Sequence, residues 1–201
     1  MTFAIKQDKV KNAKLFGTRN DFIKTLPKNI SYVEAGVLAG DFSLEVLKII
    51  DPSVMHLVDT YFDLDFRESD FKGNRWNTKE EHYDFVCKRF KNIKNVILHK
   101  QTFETFFKNN KENKFDFIYL DYEVSYSSVR NQIRMATQML NQGGTIGFND
   151  YNIYFNNTET GEKMGVVPAI NYFVNNNPDW YVHAFALNDN LTSDIYLKKL
   201  T

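Results

Sequence analysis

The sequence predicts an α/β chain: three layers, αβα, around a mostly parallel seven-stranded sheet with an antiparallel hairpin at one edge. Two observations carry this reading. Strand-like apolar runs alternate with helix-like periods along most of the chain, the pattern of a parallel sheet covered by helices. Near the C-terminus two strand-like runs, from Tyr181 to Ala186 and from Asp194 to Lys198, follow one another without a helix between them. The length, 201 residues, suits one domain spanning residues 1–201, and a hydrophobic content of 43% supplies a sizeable core.

The elements follow in order. Ser31 to Glu34 reads as the first strand and runs into Gly36. Asp41 suits a helix N-cap, and Phe42, Val46, Ile49 and Ile50 then share one helical face until Asp51-Pro52 ends it. Val54 to Val58 is the second strand, closing on Asp59. Tyr61 to Asn77 is an aromatic-dotted connection, after which Thr78 opens a helix with Tyr83, Val86, Cys87 and Phe90 on one face. Asn95 to His99 is the third strand, and Thr102 to Asn109 a short helix with Phe103, Phe106 and Phe107 turned inward. Phe115 to Leu120 is almost wholly apolar, as a strand buried on both faces should be, and it ends on Asp121. Val129, Ile133, Ala136 and Leu140 mark a long helix stopped by Gly143-Gly144. Thr145 to Phe148 is the fifth strand, ending on Asn149-Asp150; an asparagine-rich loop, Tyr151 to Gly165, follows. Pro168 suits the first turn of a helix carrying Ile170, Phe173 and Val174. The arrangement is Rossmann-like.

Composition narrows the partners. Lys plus Arg and Asp plus Glu are 25 each, so the balanced chain has no electrostatic pull toward nucleic acid or anionic membrane. The single cysteine, Cys87, excludes an internal disulfide and any multi-cysteine metal site. Met1 to Lys14 lacks the apolar stretch of a signal peptide, and no run approaches a membrane span of about 18 residues. The expectation is a cytoplasmic protein acting on a small molecule, with no bar to a homo-oligomer.

In open α/β sheets ligands bind at the carboxyl ends of the strands. Four of the predicted strands end on polar residues: Glu34 to Gly40, Asp59, Asp121 with Glu123 close behind, and Asn149-Asp150. Gly36 and Gly40 allow a tight turn before a helix N-terminus. A dinucleotide loop, G-x-G-x-x-G, would place a glycine where Leu38 stands. The loop also begins on an acid, Glu34, repulsive to a phosphate but favourable to a sulfonium or an α-ammonium group. Asp59, nineteen residues past Gly40 (59 − 40), suits ribose hydroxyls. Asp121, Glu123, Asn149 and Asp150 end two strands expected to be neighbours. They are either solvated loop acids or an oxygen cluster for Mg²⁺ or a similar hard cation, with Glu123 as general base. His56, His99 and the lysines between Lys79 and Lys100 read as structural or solvated, and His82 and His183 have no partner that the sequence names.

These residues carry a resemblance. Glu34-x-Gly36-x-x-x-Gly40-Asp41-Phe42-Ser43 with Leu57-Val58-Asp59 resembles class I S-adenosylmethionine-dependent methyltransferases. Phe115 to Asp121, Ser125-Tyr126, Gly143-Gly144, Asp150-Tyr151 and Gly165-Val166-Val167 resemble the small-molecule O-methyltransferase branch, which includes macrocin O-methyltransferase and sugar O-methyltransferases. The resemblance implies S-adenosylmethionine as cofactor. It places Glu34, Gly36 and the backbone near Phe42 and Ser43 at its amino acid end, Asp59 at the ribose and Thr102 near the adenine, and counts Gly40, Thr60 and Asp121 among the cofactor-binding residues. It further implies Asp121 and Asp150 as ligands of a divalent metal, with Asn149 standing where metal-dependent members carry Asp. It gives Glu123, with Asp121, the catalytic role, Glu123 standing where those members carry Asp. Two other classes stay open: a non-catalytic binding module on the same fold, and a NAD-dependent Rossmann enzyme. Tyr61 to Asn77 and Tyr151 to Gly165, each following a strand end, are expected to form a lid over the acceptor; their tyrosines, Trp76 and asparagines suit a polyhydroxylated molecule.

Overall fold

Strands and helices alternate from Ser31 to Phe148 as the apolar pattern requires. The computed structural model describes residues 4–61, 76, 78–151, 165–188 and 192–200, so nearly all of both expected lid segments lies outside the described residues. In chain order the elements are α1 (Gln7–Val10), β1 (Lys14–Phe16), α2 (Arg19–Ile23), β2 (Ser31–Ala35), α3 (Asp41–Ile50), β3 (Val54–Asp59), α4 (Lys79–Phe90) and β4 (Val96–Lys100). Then come α5 (Phe103–Asn110), β5 (Phe115–Leu120), α6 (Tyr126–Met139), β6 (Leu140–Phe148), α7 (Val166–Asn176), β7 (Trp180–Ala186) and β8 (Asp194–Lys199).

One sheet joins the strands in the order β1-β7-β8-β6-β5-β2-β3-β4. The five strands from β6 to β4 are parallel, and β8 runs antiparallel to both β6 and β7. This is a Rossmann-like α/β fold. Helices cover both faces. One face packs Phe103, Phe106, Val129, Ile133, Ala136, Ile170 and Val174 of α5, α6 and α7 on the sheet. The other packs Phe22, Ile23, Val46, Ile50, Val86 and Phe90 of α2, α3 and α4. The central strand β5 is buried at every residue but Asp116, whose carboxylate ties β5 to the start of β2 through Ser31.

Three expectations are corrected. The sheet has eight strands, because β1 pairs in parallel with β7 and covers the edge expected to belong to the hairpin. A three-residue strand is too short to show alternation. Second, Gly40 and not Asp41 is the N-cap residue of α3. Its φ of 77° closes the loop, while Asp41 is helical and pairs with Arg89 at 2.5 Å. Third, α6 stops at Met139, before the two glycines, and the chain passes directly into β6. Leu140 pairs with Phe115 in the sheet, and Asn141 donates to Asp116 at 2.7 Å, so sheet contacts override the helical period.

Candidate functional site

The loop from Ala35 to Gly40 is shaped by close approach. Gly36 has φ 87°, and a Cβ there would fall 1.6 Å from the carbonyl oxygen of Asp121. The backbone of β2 can therefore lie against the end of β5 only with glycine. At Gly40, φ 77°, a Cβ would stand 2.6 Å from the Phe90 ring, so glycine lets α4 pack on the start of α3. Between them Leu38 is held at φ 49°, a conformation unfavourable for a side chain with a Cβ. Its surroundings fix it there. The Leu38 amide donates to Asp59 Oδ2 at 3.1 Å, and the buried His82 donates through Nε2 to the Leu38 carbonyl at 2.7 Å. Arg89 donates to the Ala39 carbonyl at 2.7 Å.

Glu34 lies beneath this loop. Alternation along β2 puts Tyr32 and Glu34 on the same face, and Glu34 is 1% exposed. Its Oε2 accepts from the Tyr32 hydroxyl and from Ser43 Oγ of α3, both at 2.9 Å. Burial pushes the carboxyl up to about 8; the two hydroxyls and Arg19 pull the other way, and Asp121 adds to the rise. Above it opens a cavity of about 820 Å³, within the range of small-molecule sites. Glu34, Gly36, Phe42, Asp121 and Asn149 line it, together with Thr18, Arg19, Leu38 and Asn188.

Asp59 is placed where the sequence reading put it, at the end of β3, and is nearly buried. Three backbone amides converge on it. Val37 and Leu38 donate to Oδ2 at 2.8 and 3.1 Å, and Tyr61 to Oδ1 at 2.8 Å. A carboxylate has about four acceptor positions, so Asp59 anchors the loop and keeps about one unused; it is not among the residues lining the cavity. Thr60 stands between Asp59 and the buried Tyr61. Thr102 caps α5, accepting from the Thr105 amide at 3.1 Å, and is not among the residues lining the cavity. Ser43 lies under the cavity through Glu34.

At the ends of β5 and β6 the structure brings Asp121 and Asn149 together but separates Glu123. The Glu123 side chain is exposed and accepts from Ser128 Oγ of α6 at 2.5 Å. Asp121 lines the cavity; burial raises its carboxyl to about 6, against the pull of Asn149 and Arg19. Asp150 follows Asn149 at φ 59°, its carboxyl also raised by burial.

The residue that sequence reasoning missed is Arg19. Thr18 caps α2, and Arg19 shares a face with Phe22 and Ile23, three and four residues on, which are fully buried. The guanidinium is thus carried onto the sheet. It lies 5.0 Å from the Phe42 ring and 5.8 Å from the Tyr119 ring. Nη2 donates to Asn149 Oδ1 at 3.1 Å and stands 3.6 Å from Asp194 Oδ1. Asp194, fully buried, also accepts from the hydroxyls of Tyr119 and Tyr196 at 3.0 and 2.8 Å. Burial would weaken the Arg19 charge, but Tyr119, Asp194 and Asp121 outweigh it and the pKa is raised.

The expected metal ligands therefore do not fit a divalent ion. Asn149 Oδ1 accepts from the Arg19 guanidinium at 3.1 Å, which sets a fixed positive charge beside the expected ligands and opposes a second cation there. Among the described residues no three His, Cys, Asp or Glu side chains group as a metal cage.

Fold and site together define a Rossmann-like α/β protein with a ligand cavity at the carboxyl edge of its parallel strands. A family model described as a methyltransferase domain matches residues 33–151, more than half of the chain, and the chain belongs to this methyltransferase family. No curated protein matches it. Among solved structures it is similar to the O-methyltransferase TomG of Streptomyces achromogenes, which acts in tomaymycin synthesis and was crystallised with S-adenosylmethionine. That match has TM-score 0.64 and 9% identity over 91% of this chain and 80% of that one. The N-methyltransferase NodS of Bradyrhizobium japonicum matches with TM-score 0.58 and 14% identity, over 91% and 95% of the two chains. Fibrillarin of Aeropyrum pernix, with natively bound S-adenosyl-L-methionine, matches with TM-score 0.57 and 14% identity, over 89% and 72%. At these identities the likeness is one of fold. Among the described residues no helix is long and apolar enough to cross a membrane.

Proposed function

We propose that the chain transfers a methyl group from S-adenosylmethionine to a hydroxyl of a small, sugar-like molecule. The observation that carries the cofactor is Glu34: a buried acid under a glycine loop, facing a cavity of about 820 Å³. Such a group gains by ionising beside an ammonium and gains nothing beside a pyrophosphate, and Leu38 occupies the place where a dinucleotide loop needs glycine. When bound, S-adenosylmethionine supplies an electrophilic methyl on a sulfonium and leaves as a neutral thioether. Glu34 then faces the α-ammonium group, Gly36 gives the backbone its close approach, and Asp59 keeps the loop in shape with an acceptor position left for ribose. In this reading Asp121, which lines the same cavity, takes the hydroxyl proton as the acceptor oxygen bonds to carbon. Methyl transfer from a sulfonium needs an aligned oxygen more than electrophilic help, and alignment supplies a large share of such rates. An oxygen acceptor is supported by the resemblance to macrocin O-methyltransferase and sugar O-methyltransferases. A small one is supported by the chain's balanced charge.

The test is methyl transfer from methyl-labelled S-adenosylmethionine to separated pools of hydroxylated small molecules, amines, RNA and protein. Label is expected in the hydroxylated small-molecule pool and lost in Asp121→Asn. Label in RNA or protein alone would overturn the acceptor class, and no label in any pool would favour a binding module.

A further inference from the structure

Asn149 has two faces in this site. Its carbonyl oxygen accepts from Arg19 Nη2 at 3.1 Å, and its amide group donates to the Asp121 carboxylate. An aspartate there has no hydrogen to donate and could not bridge the two. The exchange of acid for amide, which looks like a weakened metal site in the sequence, is what an arginine–asparagine–aspartate chain requires.

Arg19 is held firmly enough to act as a fixed charge. Its backbone amide donates to Asn188 Oδ1 at 2.7 Å, and Asn188 in turn donates to Asp194 at 3.0 Å. Its guanidinium lies against the rings of Phe42 and Tyr119, and its side chain is 18% exposed on the cavity wall. Its charge also favours the carboxylate forms of Glu34 and Asp194. A guanidinium remains charged at every accessible pH and holds planar, directed N–H donors.

We propose that Arg19 takes the place of the divalent ion: it is the positioning residue that holds Asn149 and Asp121 for the acceptor, and methyl transfer in this chain needs no metal. The proposal rests on the reading of the cavity as a methyl-transfer site, but its test is separable from that reading. Metal binding is followed by Mn²⁺-induced broadening in nuclear magnetic resonance and by thermal shift, in protein loaded with S-adenosylhomocysteine. Wild-type protein is expected to show no saturable Mn²⁺ binding at millimolar metal, and transfer at an unchanged rate in EDTA. Arg19→Ala leaves the carboxylates without their cation. It is expected to lose transfer by a hundredfold or more, and to gain a Mn²⁺-dependent rise of about 5–10 °C at a hundredfold excess over Kd. Arg19→Lys keeps the charge but not the fork, and is expected to retain part of the kcat without gaining Mn²⁺ binding. Saturable Mn²⁺ binding by the wild type, lost in Asp150→Ala, would overturn the proposal even if Arg19→Ala failed to fold. Failure of S-adenosylhomocysteine to bind would instead remove the cofactor reading and leave the metal result standing by itself.

Discussion

A carboxyl group buried beneath a ligand cavity is a titratable probe of what enters it. In Glu34, burial lifts the pKa from 4.5 to about 8, so the empty site holds the proton at neutral pH. An ammonium group beside it favours the carboxylate, so binding an amino acid end with its ammonium set against Glu34 must release a proton. The affinity for S-adenosylhomocysteine is therefore expected to rise with pH up to about 8 and then level off, as the Glu34 value of about 8 dictates. Calorimetry in buffers of different ionisation enthalpy measures the released proton directly; affinity flat with pH and no proton release would contradict this. Stability follows the same group. The folded value is raised above the unfolded one, so its contribution is fully present below about 4.5 and lost as pH climbs through about 8. Glu34→Gln is expected to flatten that fall in melting temperature. Asp59 is a different kind of residue. Three amides donate to its carboxylate, and Asp59→Ala leaves them to water or to nothing, a loss of about 2–4 kcal/mol by urea unfolding. An unchanged unfolding midpoint would mean that the loop holds itself.

At the level of elements, α2 decides whether the site is complete. Its five residues present Phe22 to the Tyr196 ring, stacked at 3.5 Å, and thereby deliver Arg19 to the cavity wall. Phe22→Ala is expected to cost about 3–5 kcal/mol and to lower transfer beyond what its stability loss explains; full activity in the folded variant would show that Arg19 finds its place without the anchor. Thr102 makes the opposite case. Its hydroxyl caps α5, so Thr102→Ala is expected to cost about 1 kcal/mol while affinity for S-adenosylhomocysteine stays within twofold; a larger fall in affinity would place the hydroxyl at the adenine. Of these two elements only α5 was legible in the sequence. Thr78 and Thr102 announce their helices, and Phe115 to Leu120 announces a strand buried on both faces, because caps and apolar runs act through near neighbours. A five-residue helix has too few turns for a period. Asp194 stands in the sequence only as the first residue of a strand, and its partners Tyr119, Tyr196 and Asn188 meet it in space. Glu123 and Asp121 look equivalent in the sequence, and only the start of α6 separates them, by offering Ser128 to one.

Across the whole molecule, the sheet order explains why residues from distant parts of the chain meet. Parallel pairing of β2 with β3 and β5, and of β5 with β6, sets Glu34, Asp59, Asp121 and Asn149 at one edge. The N-terminal segment then closes on that edge from outside the alternating pattern, with β1 on β7 and α2 against α3 and the sheet. The loop carries an acid, Glu34, ahead of Gly36, and Leu38 where a dinucleotide loop needs glycine, and on these two residues the proposal of a cationic nucleoside at this edge rests. The most direct measurement is a calorimetric titration of the wild-type protein with S-adenosylhomocysteine and, separately, with NAD. Saturable binding of S-adenosylhomocysteine, at least tenfold weakened in Glu34→Gln, with no heat from NAD, is the expected result. Binding of NAD with none of S-adenosylhomocysteine at millimolar concentration would contradict the assignment of this edge to a methyl donor.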